Sequence, residues 1–79
     1  MSADLLEQAA QAFEARAALR ERAATDLART ADELINAGSS LGIEPLLKAS
    51  RQHRVRAIQD RVKAAALRAI VGSFSNDRT

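Results

Sequence analysis

Residues 3–37 read ADLLEQAAQAFEARAALRERAATDLARTADELINA, and in this stretch every seventh residue from Ala3 to Ala31 is alanine. An apolar repeat that alternates in steps of three and four residues is typical of a helix that packs along another helix. We therefore expect one long helix over about residues 3–37, whose alanines let a second helix lie close. The large apolar residues that alternate with these alanines are Leu6, Phe13, Leu27 and Leu34.

The next stretch contains the signals for a turn and for a second helix. Gly38 suits the left-handed position that ends a helix, and Pro45 suits the first turn of the next one, where its missing N–H costs nothing. Gly72 is the expected stop of that second helix. The predicted elements after the first helix are a loop at 38–44, a helix from about 45 to 72 and a frayed tail at 73–79.

The predicted fold is all-α, with two long helices in an antiparallel helical hairpin, because a short loop folds consecutive helices back on one another. In the resulting register, Glu14 faces Arg68 and Glu21 faces Arg61. We predict that the second helix faces the first through an apolar series at spacings of three and four residues, namely Val55, Ile58, Val62, Ala65, Ala69 and Gly72.

The core of such a hairpin is expected to be marginal. The chain has 79 residues, of which 18 are alanine and only 18 are Leu, Ile, Val or Phe, so a single domain over residues 1–79 buries little apolar surface. We therefore expect a helical bundle completed by self-association, as a homo-oligomer, or by a heterologous protein partner. The predicted partner interface comprises Leu5, Phe13, Leu19, Leu67, Ile70 and Phe74.

The sequence offers little support for catalytic or cofactor chemistry. It contains no Cys, Tyr or Trp, and its only histidine, His53, lies in a strongly basic stretch where we expect a solvated side chain. Neighbouring arginines repel a metal cation, and no base or nucleophile complements the row formed by Glu7, Glu14 and Glu21. We therefore predict a non-enzymatic protein with no catalytic residue, no cofactor and no metal site.

Charge is distributed unevenly along the chain. Residues 1–39 carry a net charge of −3 and residues 40–79 a net charge of +5. Basic residues on the second helix are able to lie along phosphates, although no aromatic residue stands among them to stack on bases. DNA or RNA binding by a small basic regulator therefore stays open as an alternative, through Arg51, Arg54, Arg56, Arg61 and Lys63.

In outline, residues 27–74 are similar to type III secretion needle subunits and their small co-chaperones. The similarity lies in a helix, a Gly/Ser turn and a second helix that opens with Pro45-Leu46-Leu47. The resemblance implies a needle or co-chaperone-like subunit as a second alternative. Arginine replaces the polar and aromatic residues of a needle's second helix, so no residue roles are carried over.

The function that the sequence favours is a protein–protein interaction module, such as a small adaptor, regulator, chaperone or assembly subunit. It would act through an exposed apolar helical face flanked by basic rows. No apolar run approaches the roughly 18 residues of a membrane span, and the N-terminus lacks a signal-peptide pattern. We expect a cytoplasmic bacterial protein without a membrane span, with signal-less secretion left open. The abundance of Ala and Arg with few Lys is of the kind that codon bias in a high-GC genome produces.

Overall fold

The computed structural model describes residues 3–76, which form two α-helices and no β-strand. Helix α1 comprises Ala3–Asn36 and helix α2 comprises Ile43–Asn76. The two helices pack against each other as an elongated antiparallel hairpin, which confirms the predicted all-α fold. The first helix is continuous through Thr25 and Asp26, as expected of one long helix.

The turn after α1 is a Schellman motif built around Gly38. Gly38 has a φ of +82°, in the left-handed region that favours glycine. Its N–H donates to the Ile35 carbonyl at 3.0 Å, and the Ser39 N–H donates to the Leu34 carbonyl at 2.9 Å. These bonds occupy carbonyls that the helix end would otherwise leave without partners, so Gly38 ends α1 as predicted.

The second helix begins two residues earlier than predicted. Gly42, with a φ of +81°, precedes the first helical residue, and its carbonyl accepts the N–H of Leu46 at 3.3 Å. Pro45 is therefore the third residue of α2 rather than the first. A proline is tolerated there because the first N–H groups of a helix have no partner inside it.

The second helix also continues past its predicted stop. Gly72 is helical, with no positive φ, and α2 runs on to Asn76. A glycine weakens a helix by about 1 kcal/mol relative to alanine but does not end it without capping bonds of the kind made at Gly38. Of the predicted frayed tail, residues 73–76 are therefore helical, whereas residues 77–79 lie outside the described part of the chain.

Small side chains fill the contact between the two helices. Four alanines of α1 have no exposed surface, and Leu6 is only 8 % exposed. This burial confirms the alanine series predicted for α1, whose buried members are Ala10, Ala17, Ala24 and Ala31. The buried residues of α2, which we call the inner stripe, are Ser50, Ala57, Asp60 and Ala64.

The apolar series predicted to face α1 from α2 is exposed instead, so this part of the prediction is wrong. Val55, Ile58 and Val62 are 53 %, 63 % and 62 % exposed. Both series on α2 are spaced by three and four residues once the half-buried His53 is counted between Ser50 and Ala57. The inner stripe faces α1 because its serine and alanines fit against the alanines of α1 at close range. We call the exposed series the outer stripe; its members are Val55, Ile58, Val62, Ala65, Ala69 and Gly72.

Candidate functional site

A part-buried ion pair joins the two helices near the middle of the hairpin. Arg20 interrupts the large apolar series of α1, and its Nε donates to Oδ2 of Asp60 at 2.9 Å. The Asp60 side chain is 6 % exposed and that of Arg20 is 26 % exposed. Removing either partner would leave a poorly hydrated charge, which makes this pair a strong determinant of which residues face each other.

A hydrogen bond to the backbone shows how closely the helices approach. Ser50 Oγ donates to the carbonyl oxygen of Ala24 at 2.8 Å, and the bond is buried. A short serine side chain reaches the main chain of the opposite helix only because Ala24 carries nothing larger than a methyl group. The alanines of α1 therefore allow the two helix backbones to approach closely, as the sequence predicted.

His53 lies three residues after Ser50, on the same side of α2, and is half-buried. Its Nδ1 is buried and has no hydrogen-bond partner among the described residues. The prediction of a solvated surface histidine is therefore wrong. The basic neighbours in the sequence point to other sides of the helix, because adjacent residues are about 100° apart around it.

One edge of the hairpin carries a row of ion pairs between α1 and α2. Arg68 Nη2 donates to Oε1 of Glu7 at 3.2 Å and to Oε2 of Glu14 at 3.1 Å, and Arg61 Nη2 lies 2.7 Å from Oε1 of Glu21. The predicted pairs Glu14–Arg68 and Glu21–Arg61 are thus confirmed. The hydrogen bond from Arg68 holds the pKa of Glu14 below its usual value, and both carboxylates raise the pKa of Arg68. We call these five residues the Glu–Arg edge.

The opposite edge is built around the ring of Phe13. The guanidinium carbon of Arg16 lies 5.4 Å from the ring centre and Nζ of Lys63 lies 5.5 Å from it. Both distances suit cation–π attraction. Phe13 is half-buried and contacts cations from both helices, so a large part of its surface already serves the hairpin.

The six residues predicted to bind a partner do not form one continuous surface. Phe13 and Leu67 are half-buried, whereas four are exposed: Leu5 by 55 %, Leu19 by 62 %, Ile70 by 45 % and Phe74 by 50 %. Leu19 lies about 21 Å along α1 from Leu5, at 1.5 Å per residue. We call the three exposed residues at the open end of the hairpin, Leu5, Ile70 and Phe74, the open-end surface.

The five residues predicted to bind nucleic acid are divided between different sides of α2. Arg61 is bound within the Glu–Arg edge, and Arg54 lies seven residues earlier on that edge. Lys63 lies on the opposite edge, with Arg56 seven residues before it. Arg51 is exposed and continues the line of the outer stripe. These positions do not make a single phosphate-binding face.

The exposed side of α2 carries open depressions. Within residues 3–76 no three His, Asp or Glu side chains are grouped so as to hold a metal ion. Neither helix in this range combines the length and the apolarity needed to cross a membrane. Two depressions lie along the exposed side of α2, one lined by Lys48, Arg51, Gln52, Val55, Arg56 and Gln59, the other by Ile58, Gln59, Val62 and Lys63.

Comparison with known proteins adds no relative to this description. No protein-family model matches the chain, and neither a curated protein nor a solved structure is similar to it.

Proposed function

We propose that this chain is a non-enzymatic protein–protein interaction module, such as a small adaptor, regulator, chaperone or assembly subunit. Support comes from the distribution of side-chain size across the described residues. The buried apolar residues are six alanines and Leu6, whereas nine large hydrophobic residues are at least 45 % exposed. Exposed apolar surface on this scale gains free energy when a partner covers it.

The open-end surface is the part of the hairpin best suited to a heterologous partner. It brings residues of both helices together, and Phe74 supplies an aromatic side chain of the kind that anchors many interfaces. The half-buried Leu67 lies three residues before Ile70 and extends the apolar surface into the hairpin. A partner would therefore contact exposed side chains at the edge of this surface and the half-buried Leu67 next to the contact between α1 and α2.

Charge favours an amphipathic helix with acidic residues beside its apolar face as the partner. Arg16 and Lys63 flank Phe13 on the edge from which the open-end surface continues, because Ile70 follows Lys63 by seven residues. Acidic residues on the partner would complement these cations and orient the encounter. Two antiparallel helices offer the groove into which a third helix packs.

The alternative of nucleic-acid binding has less support. Arg61 and Arg68 are already paired with carboxylates, and the remaining basic residues of α2 point to more than one side. Neutralised arginines release no counterions from a phosphate backbone, so they contribute little to its affinity.

The proposal is tested by charging the open-end surface with Ile70→Glu and Phe74→Glu together. Leu67 stays unchanged because its half-buried side chain belongs to the hairpin. We expect loss of partner capture with helicity retained, since both replaced side chains are exposed and a buried carboxylate would oppose docking. Capture is measured by cross-linking and affinity purification, and helicity by circular dichroism.

The matched control is Ile35→Glu with Leu41→Glu, at the loop end of the hairpin. These residues are 51 % and 82 % exposed, so the control adds the same charge to a comparable apolar surface. Partner capture should survive in the control. Equal capture by both double variants, at equal helicity, would contradict a role for the open-end surface.

A further inference from the structure

The outer stripe of α2 has no counterpart on the hairpin that would cover it. Its three large residues are more than half exposed, and Ala65, Ala69 and Gly72 are also exposed. Apart from its chain neighbours and the backbone of its own helix, no described residue has an atom within 4 Å of where a Cβ on Gly72 would stand. The hairpin therefore gives no reason for a helix-weakening glycine in this position, whereas a closely approaching second helix would.

The order of side-chain sizes along the outer stripe is informative. The large residues Val55, Ile58 and Val62 come first, and the small residues Ala65, Ala69 and Gly72 follow. When two copies of such a stripe pack antiparallel, the large residues of each lie against the small residues of the other. Close packing between helices needs this alternation of large against small.

We propose that a second copy of this chain packs antiparallel against the outer stripe, with a two-fold axis at Val62. Ile58 then faces Ala65 of the second copy, and Val55 faces its Ala69. Each of these contacts occurs twice, as an isologous interface requires, and the two Val62 side chains meet at the axis as the one contact between like residues. A parallel arrangement would place large against large in one half and leave a gap in the other.

The ends of the antiparallel pair are complementary in charge. Lys48 and Arg51 lie near the start of α2, and in the pair they stand beside the C-terminal end of the other α2. The C-terminal end of a helix carries partial negative charge, and the last turn of α2, as far as Asn76, contains no basic residue of its own. Two cations of each copy therefore lie beside the partial negative charge of the other α2.

The two sides of the outer stripe do not oppose this contact. One side is the Glu–Arg edge, where Arg61 and Arg68 are bound by carboxylates of α1. With Arg54, which lies on the same edge, its three glutamates and three arginines carry no net charge, so repulsion between two copies is small. The other side carries Gln52 and Gln59, which are uncharged and able to hydrogen-bond across the interface.

The resulting assembly is a layer of four helices rather than a square bundle. The outer stripe lies on the far side of α2 from α1, so the two copies of α2 occupy the middle and the two copies of α1 the outside. The two open-end surfaces fall at opposite ends of the layer. This contact uses residues separate from the open-end surface, so self-association and partner binding can fail independently.

A size exchange tests the pairing of Ile58 with Ala65. Ile58→Ala leaves a cavity at both symmetry-related contacts and Ala65→Ile creates a clash at both, so each alone should weaken dimerisation at least about tenfold, a change of 1.4 kcal/mol. The double variant restores one large and one small residue at each contact and should recover most of the affinity. An equimolar mixture of the two single variants should form heterodimers for the same reason.

Sedimentation equilibrium measures the association, and circular dichroism checks that each variant keeps its helicity. Both positions are exposed in the hairpin, so the fold itself should survive. A wild-type chain that stays monomeric at millimolar concentration would overturn the proposal. So would a double variant that associates more weakly than either single variant.

Disulfide formation provides a second measurement that does not depend on affinity. The chain has no cysteine, so Val62→Cys introduces a single thiol at the proposed axis. This variant should cross-link to itself rapidly under mild oxidation, because a disulfide requires Cα atoms within about 7 Å. Leu19→Cys, on an equally exposed residue of α1, is the control; equal cross-linking rates at the two positions would refute the axis.

Discussion

The inner and the outer stripes of α2 have the same spacing, but the inner stripe is buried and the outer stripe is exposed. The inner stripe contains Ser50 and Asp60 and is buried, whereas the more apolar outer stripe, with Ile58 and Val62, is exposed. The difference shows that side-chain size outweighs apolarity in deciding which side faces α1, since Ser50, Ala57 and Ala64 fit closely against the methyl groups of α1. Polar groups enter this contact when a specific partner satisfies them, as Arg20 does for Asp60.

The largest effect on stability is expected from removing the charged residue of the inner stripe, Asp60. Asp60→Ala should destabilise the hairpin by about 3 kcal/mol, because it leaves the Arg20 guanidinium half-buried without its partner. Urea unfolding followed by circular dichroism measures the loss. Gln59→Ala, the exposed neighbour, is the control and should change stability by less than about 0.5 kcal/mol. Similar midpoints for the two variants would mean that the ion pair contributes nothing.

A smaller effect should follow from enlarging a residue of the inner stripe. Ala64→Leu places an isobutyl group where the helices are in close contact, which should cost about 2 kcal/mol. Ala66→Leu makes the same chemical change at an exposed position of the same helix and should be nearly neutral. Thermal melts of the two variants give the comparison. An unchanged melting temperature for Ala64→Leu would show that the seam is looser than its burial indicates.

The smallest effect is expected at the Glu–Arg edge, which lies between the two stripes. Because Arg68 lowers the pKa of Glu14 in the folded hairpin, the folded state holds this carboxylate ionised more strongly than the unfolded chain does. The resulting stabilisation is present above the unfolded pKa, about 4.3, and is lost as the pH falls through the lower folded pKa.

Melting temperatures measured between pH 7 and pH 2 test this prediction. Glu14→Gln should show a shallower decline below pH 4.3 than the unchanged chain does, and high salt should reduce the difference because the pair is partly exposed. Parallel declines in the two proteins would argue against a contribution from this ion pair.

Much of α1 and of the hairpin could be predicted from the sequence. The alanines at every seventh position predicted a buried series, and Gly38 predicted the turn. The pairs Glu14–Arg68 and Glu21–Arg61 followed from the register alone, because opposite charges recur at matching distances from the loop.

The face that α2 presents to α1 could not be predicted from apolar periodicity. Ser50, His53 and Asp60 occupy that face, and a search for large apolar residues passes over them in favour of the outer stripe. The signal that could have found it is the series Ser50, Ala57 and Ala64, three small residues seven apart that match the alanines of α1. Asp60 could have been recognised as the partner that Arg20 needs.

The ion pair between Arg20 and Asp60 has a consequence for how the two helices choose their alignment. Methyl groups that repeat every seventh residue are interchangeable, so sliding α2 by two turns would match alanine to alanine almost as well. Such a slide would place Asp60 near Phe13 or Leu27 and separate it from Arg20, which leaves both charges without this hydrogen bond. We expect this one salt bridge to fix the register of the two helices. Contacts between alanines hold the helices together but do not distinguish one register from the next.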